Sequence, residues 1–229
     1  MDNGQFWTIV LLSLQVGGVA ILATLPVAFA LAYLLARGRF RGKVLLDGIV
    51  HLPLVLPPVV TGWLLLLLFA PSGPIGKVTQ ALFGATVLFH WTGAAIAAGV
   101  MALPLMVRAM RLSIEAVDRR LEDAARTLGA DRRRVFATIT LPLSLPGILA
   151  GAVLGFARAL GEFGATITFV SNVPGQTRTL PLAIYSALQL PDGEGVVWRL
   201  AAVSVVLALA ALVGSELLAR RAGRGLHVL

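Results

Sequence analysis

Long uncharged runs, separated by short basic segments, set the pattern of this chain. Phe6 to Ala36 carries no charged residue, and further uncharged runs cover 52–76 and 135–157. As a helix, about 20 apolar residues span a hydrocarbon core of roughly 30 Å. The pattern therefore predicts five membrane-spanning helices, at about 6–36, 44–70, 85–108, 138–160 and 196–219.

Composition agrees with a membrane protein and argues against an enzyme. Of 229 residues, 58% are hydrophobic and 13% charged, which places the chain in the membrane class. There is no cysteine, the three histidines lack metal-ligand spacing, and no Gly-Lys-Ser/Thr phosphate-binding motif is present. We therefore expect no catalytic residue, metal or cofactor. The chain is interpreted as one all-α domain, 1–229, without a linker.

Basic residues predict the orientation of the chain in the membrane. Most of the 19 lysines and arginines fall in 37–43, in 108–134 and in the tail, which holds Arg220, Arg221 and Arg224. The positive-inside rule then puts the N-terminus outside and the C-terminus in the cytoplasm. We interpret the tail arginines as a lipid-facing anchor. The net charge of +8 is accordingly a topology signal, and we expect no nucleic-acid partner.

The loop at about 109–137 is the only long hydrophilic stretch. Asp118 can cap a helix over 119–128, Gly129 suits the left-handed position that ends it, and Asp131 can cap the helix that returns to the membrane. Apolar residues recur on one face, with charged residues around them. This pattern is typical of a helix that docks on another protein, and the alternative is an ordinary solvated surface helix. The apolar face comprises Leu121, Ala124, Ala125 and Leu128.

This loop resembles the coupling motif of ABC-importer permeases. The match comprises Glu122, Ala124, Ala125, Gly129, Ile139, Leu141 and Pro142, while Asp123 stands where the commonest form has alanine. The stretches 51–62, 125–151 and 156–181 resemble the molybdate permease family in particular, so the resemblance covers nearly the whole chain. Sulfate and thiosulfate permeases share the general pattern but are typically longer.

The resemblance implies the fold of type I importer permeases, with about five transmembrane helices and a short cytoplasmic coupling helix. It implies a non-catalytic, multi-pass subunit of the bacterial inner membrane that moves molybdate, and tungstate with it, inward. The implied partners are a second copy of the chain, a cytoplasmic ABC ATPase dimer that hydrolyses ATP, and a periplasmic molybdate-binding protein. The implied coupling residues are Arg119, Arg120, Glu122, Asp123, Ala124, Ala125, Arg126 and Gly129.

Other functions remain open from the sequence. A sulfate or thiosulfate importer permease is the alternative within the class. A stand-alone anion channel or secondary carrier is the alternative from a different class. Such a carrier would be indicated by ionisable relays or repeat symmetry in the spans, and only Arg158 and Glu162 come close.

The segment from Gly161 to Leu190 is too interrupted by glycine and proline for two full spans. We expect a dip or loop, followed by a short helix at about 180–190, and this region is the candidate outer gate. Arg158 and Glu162, four residues apart, form either an internal ion pair or a step in anion passage. Further donors for an oxyanion are Thr166, Thr168, Asn172 and Arg178. A proline cluster at Pro53, Pro57 and Pro58 predicts a bend in the second span.

Overall fold

The computed structural model describes residues 1–84 and 86–226, leaving aside the side chains of Phe83 and of 215–226. Every regular element in this part of the chain is helical, and four helices are long and apolar enough to cross a bilayer. The side chains of the tail arginines, Arg220, Arg221 and Arg224, lie outside the described residues. The helices are α1 (Asn3–Arg37), α2 (Lys43–Val55), α3 (Pro58–Phe69), α4 (Pro74–Phe83), α5 (Trp91–Ala116), α6 (Arg119–Thr127), α7 (Arg132–Val135), α8 (Leu141–Leu160), α9 (Gly164–Val170), α10 (Leu180–Leu188) and α11 (Glu194–Leu226).

Helix α5 lies at the centre of the chain, packed between α1 and α8. Three glycines of α8, spaced four apart, bring it close to α5. A side chain at Gly155 would put its Cβ only 2.8 Å from the Sδ atom of Met106, and one at Gly151 would meet the carbonyl of Met106 at 3.1 Å. Gly147 faces Ser113 in the same way. Small residues at this spacing allow helix backbones to approach in a membrane, where packing provides most of the attraction.

The predicted second span is not one continuous helix. It consists of α2 and α3, whose axes differ in direction by 114° across the break at Leu56 and Pro57. Pro57 and Pro58 offer no N–H to bond the preceding turn, so the helix ends at Val55 and a new one starts at Pro58. Pro53, in contrast, is accommodated within α2. The proline cluster thus breaks the span where the sequence predicted a bend.

The third span lies further towards the C-terminus than the predicted range of 85–108. It runs from Trp91 to Ala116, so that the polar loop begins some residues later than expected. After the short α7, the chain forms a π-helical turn, Phe136–Thr140, that leads directly into α8. The N-terminal span begins at Asn3, where the Asp2 carboxylate accepts from the Gln5 N–H at 2.7 Å.

The interrupted region at 161–190 contains two short helices instead of one. Helix α9 lies against α3, with Gly62 at the crossing, where a Cβ would come within 2.9 Å of the Thr168 Cβ. An irregular segment, 171–179, then leads into α10, near the predicted short helix. Ser171 ends α9 with a positive φ of 64°, which is uncommon for a residue other than glycine.

Candidate functional site

The short helix α6 forms as the polar loop predicts. The Asp118 carboxylate accepts a hydrogen bond from the Arg120 N–H at 2.9 Å, and the Asp131 carboxylate accepts one from the Arg134 N–H at 2.8 Å. Gly129 has a φ of +86°, the left-handed conformation that glycine adopts without steric cost. These two caps and the glycine give α6 defined ends between α5 and the return helix.

The predicted apolar face of α6 is largely exposed. Leu121 is 50% exposed and Leu128 88% exposed. Ala124 is exposed as well, and Ala125 is half-buried. Charged residues surround this face, all of them exposed, and no part of the described chain covers it. They are Arg119, Arg120, Asp123 and Arg126.

Glu122 points the other way and is the only buried residue of α6. Its Oε1 accepts a hydrogen bond from Arg37 Nη2 at 3.0 Å and from Thr140 Oγ1 at 2.7 Å. Arg37 Nη2 also donates to the carbonyl oxygen of Val117 at 3.1 Å. Glu122, expected among the docking residues, thus directs its carboxylate into the chain.

The π-helical turn beside this carboxylate packs on α1 through aromatic rings. The ring centroid of Phe136 lies 6.0 Å from that of Phe29 and 5.4 Å from that of Tyr33. Edge-to-face and tilted arrangements at these distances are favourable. The start of the return helix is therefore held to α1 by both the aromatic rings and the Thr140–Glu122–Arg37 bonds.

At the far end of α8, Arg158 and Glu162 form an ion pair. Arg158 Nη1 lies 2.7 Å from Glu162 Oε2. The other carboxylate oxygen of Glu162 accepts the Ala165 N–H at 2.8 Å, in the first turn of α9. The Glu162 side chain is 2% exposed and that of Arg158 is 26% exposed. The pair therefore connects α8 to α9 while leaving the guanidinium in partial contact with the surroundings.

The remaining candidate gate residues divide into two groups. Thr166 is buried inside the chain, and Thr168 is half-buried, with its hydroxyl donating to the Gly164 carbonyl at 2.9 Å. Asn172 and Arg178 belong to the irregular segment. Arg178 Nε donates to Asn172 Oδ1 at 2.9 Å, and Asn172 Nδ2 donates to Ser186 Oγ at 2.7 Å. The first two donors thus face the interior of this chain. Asn172 connects the irregular segment to α10, and Arg178 holds Asn172 from within that segment.

Sequence reasoning missed Arg37 and Thr140. Both lie more than 15 residues from Glu122. Arg37 is outside the coupling motif, and Thr140 occupies the unspecified position between its Ile139 and Leu141. The sequence did contain a signal for Arg37, which is the first charged residue after the long uncharged run of α1. A charge at the membrane boundary must find water or a counter-charge. For Thr140 the sequence offered no such signal.

Comparison with known proteins identifies the family. The model of binding-protein-dependent transport system inner membrane components matches residues 7–224. The chain belongs to this family. It is 58% identical over 222 residues to the molybdenum transport system permease protein ModB of Escherichia coli (strain K12), a match that covers 95% of this chain and 97% of that protein. It is 56% identical to ModB of Haemophilus influenzae, over 92% of each chain.

Solved structures show the same fold at low sequence identity. An inward-facing structure of the MetNI methionine ABC transporter superposes with a TM-score of 0.76 at 17% identity, covering 97% of this permease-family chain and 99% of that one. A bacterial alginate ABC transporter in complex with an alginate-bound periplasmic protein gives a TM-score of 0.76 at 18% identity, over 96% and 80%. The chain therefore has the all-helical fold of ABC importer permeases.

Proposed function

We propose that this chain is the membrane subunit of an ABC importer that moves molybdate inward, with ATP hydrolysed on a separate subunit. The observation that carries the proposal is the 58% identity, over 95% of the chain, to a molybdenum transport system permease. Tungstate, an oxyanion of the same shape and charge, is expected to follow the same route. The chain itself contributes docking, coupling and gating.

In this proposal the exposed face of α6 docks on the ATPase. Leu121 and Ala124 of α6, and Leu128 directly after it, present apolar surface to solvent. Burying that surface against a partner is favourable. Charged residues at the rim of an interface steer association and fix its register. The rim residues are Arg119, Arg120, Asp123 and Arg126, and Ala125 and Gly129 complete the helix and its end.

The outer gate is proposed to form around Arg158, Glu162 and the irregular segment. Non-helical backbone at membrane depth is tolerated where it is buried in protein or lines a water-filled passage. The segment 171–179 is partly buried in this chain, at Thr177 and Thr179, and exposed at 174–176. Arg158 is partly exposed and Arg178 half-buried, so both can present positive charge to a passing oxyanion. Of the hydroxyl and amide donors, Asn172 is better placed than the internal Thr166 and Thr168.

The partners follow from the same proposal. A second copy of the chain completes the passage around a two-fold axis, because five spanning segments enclose little by themselves. A periplasmic molybdate-binding protein delivers the anion to the outer end. The basic loop and tail support an inner-membrane orientation with the N-terminus outside and the C-terminus in the cytoplasm.

Reconstitution in vesicles tests the proposal. The chain, its ATPase and the binding protein are expected to accumulate molybdate only when ATP is present, and sulfate in excess is expected not to compete. Sulfate uptake in place of molybdate would show that the chain is a sulfate importer permease, the alternative within the class. Molybdate flux through the chain alone, without the ATPase, would instead favour a channel or carrier.

A matched pair of variants tests the docking surface itself. Leu128→Glu places a charge at the exposed leucine that directly follows α6, and we expect it to reduce co-purification of the ATPase. Leu190→Glu is the control, because Leu190 is also exposed, at 62%, but lies beyond α10 and far along the chain from α6. Equal ATPase recovery with both variants would contradict docking through this face.

A further inference from the structure

The buried carboxylate of Glu122 connects three parts of the chain that are distant in the sequence. Arg37 is the last residue of α1, Glu122 lies in the first turns of α6, and Thr140 ends the π-helical turn before α8. Both donors reach the same oxygen, Oε1, at 3.0 Å and 2.7 Å. The guanidinium of Arg37 also bonds the Val117 carbonyl, in the link that leads from α5 into α6.

We propose that Arg37, Glu122 and Thr140 form a latch that holds the coupling helix rigidly to α1 and α8. Glu122 is then a positioning residue and not a docking contact. The inference rests on the proposed function, in which α6 receives the movement of the ATPase. It adds the route by which that movement passes into the membrane-spanning helices.

A tie of this kind is needed because α6 is short and its connections can turn. A helix of nine residues is marginal without tertiary contacts, and Glu122 is the only residue of α6 that is buried in the chain. On one side α6 joins α5 through two non-helical residues, and on the other it joins α7 through Gly129. Without the latch, a push on α6 would be absorbed by rotation at these connections.

The chemistry of the latch suits a mechanical contact. Hydrogen bonds between an arginine and a carboxylate are short and strong, and their strength increases away from water. The side chains of Arg37 and Glu122 are 12% and 11% exposed. With two donors on Oε1 and so little exposure, Glu122 has little surface to offer a basic residue of another protein. The exposed residues of α6 are left for that purpose.

Hydrogen exchange of the α6 amides tests the latch directly. In lipid nanodiscs without the ATPase, Arg37→Gln and Glu122→Gln are expected to speed exchange of amides 122–127 by about tenfold, the effect of losing a buried charged hydrogen bond on local opening. Thr140→Val should act in the same direction but less. Glu115→Gln is the control, because Glu115 also pairs with an arginine, at 2.8 Å, but lies at the end of α5. Unchanged exchange in Arg37→Gln would overturn the latch.

Transport measurements distinguish a positioning role from simple stabilisation. Assembled with the ATPase, Arg37→Gln is expected to keep wild-type ATPase recovery but to move several-fold less molybdate per ATP hydrolysed. The double variant Arg37→Gln with Glu122→Gln should be no worse than either single one, since all three remove the charge pairing of the same contact. Arg37→Lys should recover much of the ratio, because an ammonium can still donate to Glu122. A wild-type ratio in Arg37→Gln, or additive losses in the double variant, would overturn the inference.

The exchange and transport measurements distinguish an error in the latch proposal from an error in the proposed function. If the wild-type assembly moves no molybdate, the proposed function is wrong, while the exchange rates still report on the latch. If both glutamine variants fail to fold, Thr140→Val, which removes one hydroxyl at similar volume, decides the matter. Unaltered α6 exchange in that variant would then count against the latch.

Discussion

Two glutamates, Glu122 and Glu162, are buried in the described part of the chain, and each is paired with an arginine in a different way. Arg158 and Glu162 are one helical turn apart, 2.7 Å between charged atoms, at the end of α8. Arg37 and Glu122 are 85 residues apart and lie on different helices, at 3.0 Å. The first carboxylate also bonds the backbone of the adjacent α9, and the second bonds a hydroxyl at the start of the return helix.

This contrast shows what each pair can transmit. The local pair bonds the end of α8 to the first turn of α9, so we expect its loss to disturb one end of one helix. The long-range pair joins α1, α6 and the π-helical turn, so we expect its loss to free the whole of α6. Helix α8 begins directly after Thr140 and ends two residues before Glu162. The two pairs therefore mark the two ends of the helix that we expect to carry movement from the coupling site to the gate.

The largest expected effect comes from breaking the local pair on one side. Arg158→Leu leaves Glu162, 2% exposed, without its counter-charge, and a broken buried pair of this kind costs about 3–5 kcal/mol. Removing both charges with Arg158→Leu and Glu162→Leu should recover much of that stability. Chemical unfolding in detergent micelles measures both. A double variant less stable than the single one would show that the carboxylate bond to α9 matters more than the pair.

Transport by the same double variant sharpens the comparison. If the folded double variant moves molybdate at the wild-type rate, the pair is structural and anion passage does not use Arg158. If it folds but does not transport, a role in the gate gains support.

A smaller loss is expected at the long-range pair when only its hydroxyl is removed. Thr140→Val deletes one donor to the Glu122 carboxylate but leaves Arg37 in place, and a hydrogen bond to a charged group contributes about 1.5–3 kcal/mol. Unfolding midpoints of Thr140→Val and Thr138→Val can be compared, since Thr138 is exposed and donates only to the Arg134 carbonyl of its own turn. Equal midpoints would mean that the Thr140–Glu122 bond adds nothing.

Local features of the fold could be predicted from the sequence, and distant ones could not. The uncharged runs, the caps at Asp118 and Asp131 and the turn at Gly129 all depend on neighbouring residues, so their patterns are visible. The glycines of α8, four apart, were also a readable signal for close helix packing, but their partner helix was not. The Arg37–Glu122 contact depends on how α1 and α6 are placed in space, which no spacing encodes.

The break in the second span shows the limit even for a local signal. Three prolines predicted a bend in the second span. The same prolines are compatible with a slight kink and with the observed 114° change of direction, so the sequence alone does not distinguish the two. The turn places α3 against α9, with Gly62 at the crossing, and that partner lies about 100 residues further along the chain.

A substitution at Gly129, at the end of the coupling helix, is expected to cause a stability loss of intermediate size. Its φ of +86° is costly for a residue with a Cβ, and more so for a β-branched one, so Gly129→Val should destabilise this turn by about 1–2 kcal/mol. No atom lies within 4 Å of the added Cβ, so the loss is one of backbone conformation and not of collision. Ala130→Val, next to it in sequence and without the positive φ, is the control. Equal unfolding midpoints for the two variants would contradict the prediction.

The smallest effect is expected at the exposed pair on the outer face of the coupling helix. Asp123 and Arg126 are 3.2 Å apart, with side chains 69% and 50% exposed, and pairs so open to water contribute at most about 1 kcal/mol. Asp123→Asn should therefore leave the unfolding midpoint of the isolated chain nearly unchanged, unlike any change at Glu122 on the same helix. Its effect should appear instead when the ATPase binds, as a faster dissociation that depends on salt, because a charge at the rim of an interface acts mainly there. The dissociation rate can be measured with the chain immobilised in nanodiscs on a surface and the ATPase supplied in solution at low and at high salt. A clear loss of stability with unaltered dissociation would reverse the assignment of the two faces of α6, making Asp123 the structural residue and reopening Glu122 as the docking one.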